Sequence, residues 1–579
     1  MDRTGKIVVG VSFVLLAVWM WWMNQTYSAS RAASGSAGLR TNLPAVAPSG
    51  TPAVPLAAST QRMAPPASEE KMILENPEFL FTVTSHGGGV KEIALKGYPE
   101  GIPCGPNKRF ISTNLLAINR NGFAPAFALD KGLDEDGAYG LTRTATGIRA
   151  EKATTSGLRI VKDFTLGSNH QFVVTARIEN ITKQVVALPV QSWEIGTATP
   201  MNSHDVADMM GVMWFDGSKS RDVVGWVSVP GFLCVPTKPL LEMDAKANGL
   251  AVWGAIHNQF FAMVTVPDSA ATNVTAQSIP LPPPSALQLA EDPQAIRQPM
   301  GVRTLMHFGS TNLAPGQGVE RKFQVYAGPK RYVTLQRLEP KLDEVMGFAS
   351  IFPGATFFAK LLLLCLNGLN NLGLSYGWCI VVLTALIKAI FWPLTAMSTR
   401  SAKRMAEVQP QLNALKEKYK DNPTKQQKMM MEFMREKKIN PAVGCLPMLI
   451  QIPVFFGLFT MLRSAIELRG SSFLWMCDLS SPDTLFVIPY LHIPFNLMPV
   501  FYIITIMWQS HLTPMSPQMD PAQQKMMRYM PLMFVMVIYN YSCGLSLYWT
   551  LQNLLTILQT KLTNSTPKPM VIPAPVKRR

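Results

Sequence analysis

The hydrophobic pattern divides this chain before any composition is counted. Ile7–Met23 is apolar apart from Gly10 and Ser12, follows Arg3 and Lys6, and ends in Trp19, Trp21 and Trp22. The run outlasts the apolar core of a signal peptide and closes on a Trp cluster of interfacial type, which predicts an uncleaved transmembrane anchor over 1–27. Ala, Pro, Ser and Gly dominate 28–68, a flexible linker. From there to about 345 the pattern is that of strands: Phe79–Thr84, the Gly87-Gly88-Gly89 turn, Val90–Leu95, Ile160–Leu166, Gln171–Asn180, Ala251–Val266 and Lys322–Ala327. Short strands between turn residues predict a large antiparallel β-sandwich over 69–345.

Long apolar runs return only after residue 350. They predict transmembrane helices over 374–395, 445–462 and 485–508, and the uncharged stretch Tyr529–Thr560 is too long for one crossing of a ~30 Å hydrocarbon core. Ser542-Cys543-Gly544 divides it into helices over 529–543 and 544–561. Gly354–Gly373 is interrupted by Lys360, Asn367, Asn370 and Asn371. Within 346–373 it reads as an amphipathic helix in the outer interface. Loop 396–444 carries eleven Lys and Arg against five acids, so it is expected inside. Loop 463–484 then lies outside, while 509–528 and the basic tail 562–579 lie inside. The fold class that follows is a multi-domain membrane protein: six transmembrane α-helices, an exported antiparallel β-sandwich and a cytoplasmic helical hairpin, with both termini inside.

Composition narrows the chemistry. The 579 residues exceed what one core supports, which requires several folding units. Charged residues are only 16% and apolar ones 48%, with a net charge of +16 that suits a membrane surface or nucleic acid. The seven Cys and seven His are scattered, with no C-x-x-C pair and no H-E-x-x-H. No phosphate loop and no G-x-S-x-G elbow occurs, so these patterns support neither a metal nor a nucleotide site. Asp134, Glu135 and Asp136 read as a solvated loop, and Trp253 and His257 as sandwich core.

In the inside loop, Met405, Val408, Leu412, Leu415 and Tyr419 recur at spacings of 3, 4, 3 and 4, a narrow coiled-coil seam. Pro423 opens a second helix, on which Met430, Phe433 and Met434 form an apolar strip. Two readings stay open here: a basic hairpin facing anionic headgroups, or a docking arm for a ribosome or a nascent chain.

Within the spans, Lys388 is the clearest ionisable group, and Thr384 and Thr395 share its helix face. Trp549, Asn553, Thr556 and Thr560 form a second polar stripe, and Gln451 lies between Pro447 and Pro453. An ionisable group in a span costs ~2.5–3.5 kcal/mol even on lenient scales, so these residues point to a shared wet cavity. A lysine that snorkels to the interface is the plainer alternative. A solute-coupled transporter using Lys388 and a membrane-anchored carbohydrate-modifying enzyme are the rival functions.

At these residues the sequence resembles the YidC family of membrane protein insertases. The matching segments are TALIKAIFWPLT (384–395), NPAVGCLPMLIQIPVFFGLFTML (440–462), DPAQQKMMRYMP (520–531) and GLSLYWTLQNLLTILQ (544–559). The anchor and exported β-domain resemble the Gram-negative branch, whose periplasmic domain is a β-supersandwich. The resemblance implies an insertase and chaperone of the inner membrane, without cofactor or metal, acting alone or with the Sec translocon. Its implied partners are nascent membrane proteins, the ribosome, the signal recognition particle with its receptor, and the lipid bilayer. It also implies a hydrophilic groove lined by Lys388, Thr384, Gln451, Tyr548, Trp549 and Asn553. The implied cytoplasmic docking hairpin carries Met405, Leu412, Tyr419, Met430 and Phe433. The family more often has Arg where this chain has Lys388; Lys keeps the charge without the bidentate fork.

Overall fold

The computed structural model describes residues 68–102, 115–120, 122–130, 133, 137–201, 209–224, 242–244, 250–286, 289, 296–348, 354–420, 422–437, 442–488, 493–512, 526 and 539–564. The expected anchor, the linker up to 67, the Asp134–Asp136 cluster, most of the 529–543 span and the end of the tail lie outside these residues. The described chain forms two compact units. One holds residues up to Tyr98, Leu115–Asn258 and Ala262–Gly328; the other holds Gln259–Phe261, the residues from Pro329 onward and a short piece beginning at Pro99.

The first unit is all β. Its strands are β1 (Lys71–Glu75), β2 (Phe79–Thr84), β3 (Gly89–Pro99), β4 (Leu115–Ile118), β5 (Gly140–Arg143), β6 (Gly147–Ala153), β7 (Leu158–Leu166) and β8 (Gln171–Asn180). They continue with β9 (Val186–Leu188), β10 (Gln191–Ala198), β11 (Gly211–Phe215), β12 (Ser220–Val224), β13 (Glu242–Asp244), β14 (Trp253–His257) and β15 (Phe261–Pro267). The last are β16 (Asn273–Pro280), β17 (Met300–Phe308), β18 (Thr311–Leu313) and β19 (Gly318–Pro329). A nine-stranded sheet runs β12-β11-β14-β15-β19-β8-β7-β6-β5, and a four-stranded sheet runs β10-β17-β16-β13. Alternation explains the layering: β8 buries Phe172, Val174, Ala176 and Ile178 and turns the residues between them outward.

The two sheets meet through aromatics. Phe323 of β19 lies 5.6 Å from Trp193 of β10 and 6.1 Å from Phe308 of β17. Gly254 of β14 lies close under this contact: a Cβ there would stand 2.6 Å from Met306 Cε, which would have to shift. The expected antiparallel β-sandwich is thus present, with one correction. The run 251–266 is not one strand but the hairpin β14–β15, because Asn258 and Gln259 turn the chain between them. Trp253 and His257 are core residues, His257 Nε2 lying 3.1 Å from Asp222 Oδ1.

The second unit is mainly helical: α1 (Tyr332–Leu338), α2 (Ala355–Asn371), α3 (Tyr376–Glu407), α4 (Gln409–Lys418), α5 (Pro423–Glu436), α6 (Ala442–Ser464), α7 (Leu497–Leu512) and α8 (Cys543–Asn564). Among the described residues, Tyr376–Pro393 is long and apolar enough to cross a membrane, and α7 is a shorter apolar helix. Two sequence expectations change. The stretch 485–508 is not a single helix: Thr484–Ile488 (β20) and Ile493–Asn496 (β21) pair as an antiparallel hairpin before α7 begins. Pro489 and Pro494 explain this, since a proline inside a helix removes a bond and clashes with the preceding turn. The seam 405–419 is also broken. The helix of span 374–395 continues to Glu407, and α4 starts afresh behind Val408 with Pro410 in its first turn.

Candidate functional site

The polar residues singled out above lie on α3, α6 and α8, and α8 packs against α3, α6 and α7. On α3, Thr384 and Lys388 follow Ile380 at intervals of one turn, so all three share a face. Thr384 is 1% exposed and donates its hydroxyl to Ile380 O at 2.6 Å, which satisfies it within its own helix. Lys388 is only 6% exposed, and its Nζ donates to Thr556 Oγ1 of α8 at 2.8 Å. Its ammonium is therefore held between helices, where the plainer reading put a snorkelling helix-end lysine.

Two further polar links tie α8 to its neighbours. Asn553 Nδ2 donates to Thr505 Oγ1 of α7 at 3.3 Å. Gln559 Nε2 donates to Thr395 Oγ1 at 2.5 Å and to Trp392 O at 3.1 Å, beside Pro393 of α3. Gln559, Thr556 and Thr505 complete contacts that the sequence pattern left half-drawn. The signal for Gln559 was its position three residues after Thr556, one helical turn on.

Trp549 of α8 faces α6. Its ring stacks on Phe455 at 6.1 Å and Phe459 at 6.4 Å, and lies 5.9 Å from Tyr502 of α7. Gln451 is half-buried one turn before Phe455, so helical period places it on the same side of α6. Tyr548 is 1% exposed within α8. The arrangement sets an aromatic wall beside a row of hydroxyl, amide and ammonium groups. Such a row can hydrogen-bond a polar chain while the wall accepts an apolar one.

The N-terminal end of α8 is tied down by the 465–484 loop. Cys543 N donates to Ser481 O at 2.8 Å and Gly544 N to Leu479 O at 3.0 Å. Asp478 organises that loop, accepting from Gly470 N, Ser480 N, Ser480 Oγ and Ser481 Oγ at 2.7–3.0 Å. Asp483 Oδ2 accepts from Met498 N at the start of α7 and from Trp475 Nε1. Burial pushes the Asp483 carboxyl above its ordinary range, against the pull of these donors.

In the hairpin region, Leu412 is buried on α4, and Met430 and Phe433 are half-buried on α5, which packs on α4. Tyr419 closes α4 with the ammonium groups of Lys418 and Lys425 5.7 and 5.5 Å from its ring centre. Met405 belongs to the last turn of α3 instead.

Known families align with both units. Residues 72–365 match the model described as the YidC periplasmic domain, and residues 368–569 match the one described as 60Kd inner membrane protein. Membrane protein insertase YidC of Polynucleobacter asymbioticus is 29% identical over 514 residues, covering 86% of this chain and 84% of that protein. The same-named protein of Burkholderia cenocepacia is 30% identical over 417 residues, covering 71% and 67%. A crystal structure of an active YidC insertase with its first transmembrane domain resolved covers 86% of this chain and 94% of its own, at 18% identity and a TM-score of 0.34. The transporter and carbohydrate-enzyme readings give way to these matches. The β-sandwich is a periplasmic domain, the helical unit is the membrane-insertase region, and the chain belongs to the YidC family of inner-membrane protein insertases.

Proposed function

We propose that the polar row on α3, α6 and α8 is the groove through which this insertase passes the polar tail of a client. Lys388, Thr384, Gln451, Tyr548, Trp549 and Asn553 line it, joined by Thr556 and Gln559. The observation that carries this reading is the Lys388–Thr556 contact, an ammonium lodged between the polar faces of two helices. Such a placement is costly in lipid and serves a function by default. The client's apolar segment leaves for lipid along the exposed faces of the spans. Its transfer supplies the free energy, at about 0.8 kcal/mol per buried CH₂.

The proposed topology has six spans with both termini cytoplasmic: the anchor at 1–27 and five core spans at 374–395, 445–462, within 485–508, 529–543 and 544–561. The helix at 346–373 lies in the outer interface, the loop 463–484 is periplasmic and the segment 509–528 is cytoplasmic. The region 396–444 is a cytoplasmic arm that receives nascent chains from the ribosome. The signal recognition particle and its receptor deliver some clients, and others arrive beside the Sec translocon. The basic tail 562–579 adds a salt-sensitive contact to the ribosome.

The test is insertion of a short single-span client into liposomes containing only this purified chain. Insertion without other proteins is the expected result, and its absence would overturn autonomous action. Deleting 405–434 should impair delivery and leave the spans protease-resistant; undiminished insertion would remove the arm from the mechanism.

A further inference from the structure

The loop between α6 and α7 turns its charges inward and its apolar side chains outward. Among its described residues, the Asp, Glu, Lys and Arg side chains are Glu467, Arg469, Asp478 and Asp483. Glu467 accepts from Asn367, and Arg469 donates to the carbonyls of Pro99 and Glu100 in the same unit. Asp478 and Asp483 are engaged as described above. The exposed large apolar side chains of the loop are instead Leu474 (72%), Trp475, Leu485 and Phe486.

Leu474 and Trp475 form the corner of a tight turn closed by reciprocal backbone bonds between Phe473 and Met476, at 2.7 and 2.9 Å. Leu474 sits at φ +53°, a region that glycine occupies freely and that costs an L-residue roughly 1–2 kcal/mol. A leucine there is both strained and exposed, and the fold does nothing with its side chain. The tip is nevertheless anchored through its neighbours. Phe473 lies edge-on to Trp378 at 5.4 Å, Trp475 packs 5.7 Å from Phe501 of α7, and Asp483 fixes the Trp475 indole.

From Trp475 the apolar surface continues along α7 through Phe501, Ile504 and Trp508, all exposed and spaced i, i+3, i+7. With 16 residues, α7 is about 24 Å long, short of a ~30 Å hydrocarbon core. The hairpin β20–β21 has taken up the remaining apolar residues, and its Phe486 also faces out, stacked on Phe495 at 5.0 Å. An uncharged, preformed Leu–Trp tip prolongs the apolar stripe of a helix that is too short.

We propose that Leu474, Trp475 and Phe486 form a lipid-binding foot that enters the outer leaflet at the boundary of headgroups and acyl chains. This rests on the reading of α7 as a span. The foot completes the apolar length that α7 lacks and fixes the depth of the adjoining helix ends, including that of α8.

The experiment uses the full chain in vesicles of phosphatidylethanolamine and phosphatidylglycerol, doped with a phospholipid bearing a diazirine near the carbonyl end of one acyl chain. After photolysis, adducts are mapped by peptide mass spectrometry. Adducts at Leu474, Trp475 or Phe486 within about threefold of the yield at Phe501 are the expected result. Adducts at Ile504 and Trp508 with none on the foot overturn this proposal alone, whether water or another protein covers the loop. No adducts at either place overturn the reading of α7 as a span as well. Leu474→Asn, which suits the left-handed turn, should keep the fold and lower the adduct yield at Trp475 several-fold; an unchanged yield also counts against the foot.

Discussion

Lys388 and Thr556 stand 168 residues apart in the chain, and the ammonium of one donates to the hydroxyl of the other at 2.8 Å. The contact joins α3 to α8 through a group that carries charge and can exchange its partner. A client carboxylate in the groove competes with a hydroxyl, and at an effective dielectric of about 20 a charge pair 4 Å apart gains roughly 4 kcal/mol before desolvation.

That competition predicts a graded variant series. Lys388→Arg should insert clients normally, because the charge is kept. Lys388→Ala should lower insertion of clients with acidic translocated tails by about tenfold, equivalent to ~1.4 kcal/mol. Lys388→Glu should do worse, and neutralised tails should be indifferent to all three. The measurement is paired insertion of one client with and without its acidic residues. Equal loss for both versions would assign Lys388 to helix packing.

Gln559 holds α3 at the turn where Pro393 interrupts its backbone bonding. Gln559→Leu should destabilise the helical unit by about 0.6 kcal/mol, the average for hydrogen bonds between membrane helices, and by at most ~1.7 kcal/mol. A double-mutant cycle with Thr395→Val, read by unfolding in mixed micelles, should recover most of that loss as coupling. Additive losses would mean that the two residues act separately.

Gly457 of α6 lies against α2 so closely that a Cβ would stand 2.7 Å from Ala355 O and 2.9 Å from Ala359 N. These are backbone atoms and do not yield. Gly457→Ala should cost about 1–3 kcal/mol by overpacking. Gly368→Ala on α2, with nothing within 4 Å, should instead stabilise by up to about 1 kcal/mol through helix propensity. Thermal midpoints of the two variants should therefore move in opposite directions.

Glu194 of β10 is buried in the periplasmic domain, where Arg303 Nε of the neighbouring strand β17 donates to Oε2 at 2.5 Å. Burial pushes its carboxyl up to about 8, against the pull of Arg303. The folded domain then holds a proton that the unfolded chain, with an ordinary carboxyl near 4.5, has already released. The contribution of Glu194 to stability is therefore fully present below about 4.5 and is lost as pH rises toward 8, by at most ~1.4 kcal/mol per unit. Pulse proteolysis of the full chain in urea at pH 5.5 and pH 8, read on the periplasmic domain, should show this decline. Glu194→Gln should flatten it; an identical slope in the variant would place the pH dependence elsewhere.

The sequence by itself determined whatever depends on period and on local turn chemistry. Strand β8 and strand β2 have the bounds their alternation predicts, and Lys388, Thr384 and Asn553 stand out because a polar group on an apolar helix needs a partner. Which partner is a tertiary matter: Thr556, Thr505 and Gln559 meet their counterparts only when α8 packs on α3 and α7, and no spacing along one helix encodes that. Tertiary structure also decided the fate of 484–496, whose hydropathy suits a helix and whose prolines favour the β20–β21 hairpin. It likewise ended the coiled-coil seam at Val408, where the helix of a span runs on to Glu407 and Pro410 restarts the chain. Hydropathy reports how much apolar surface must be covered; packing and proline geometry decide which backbone covers it.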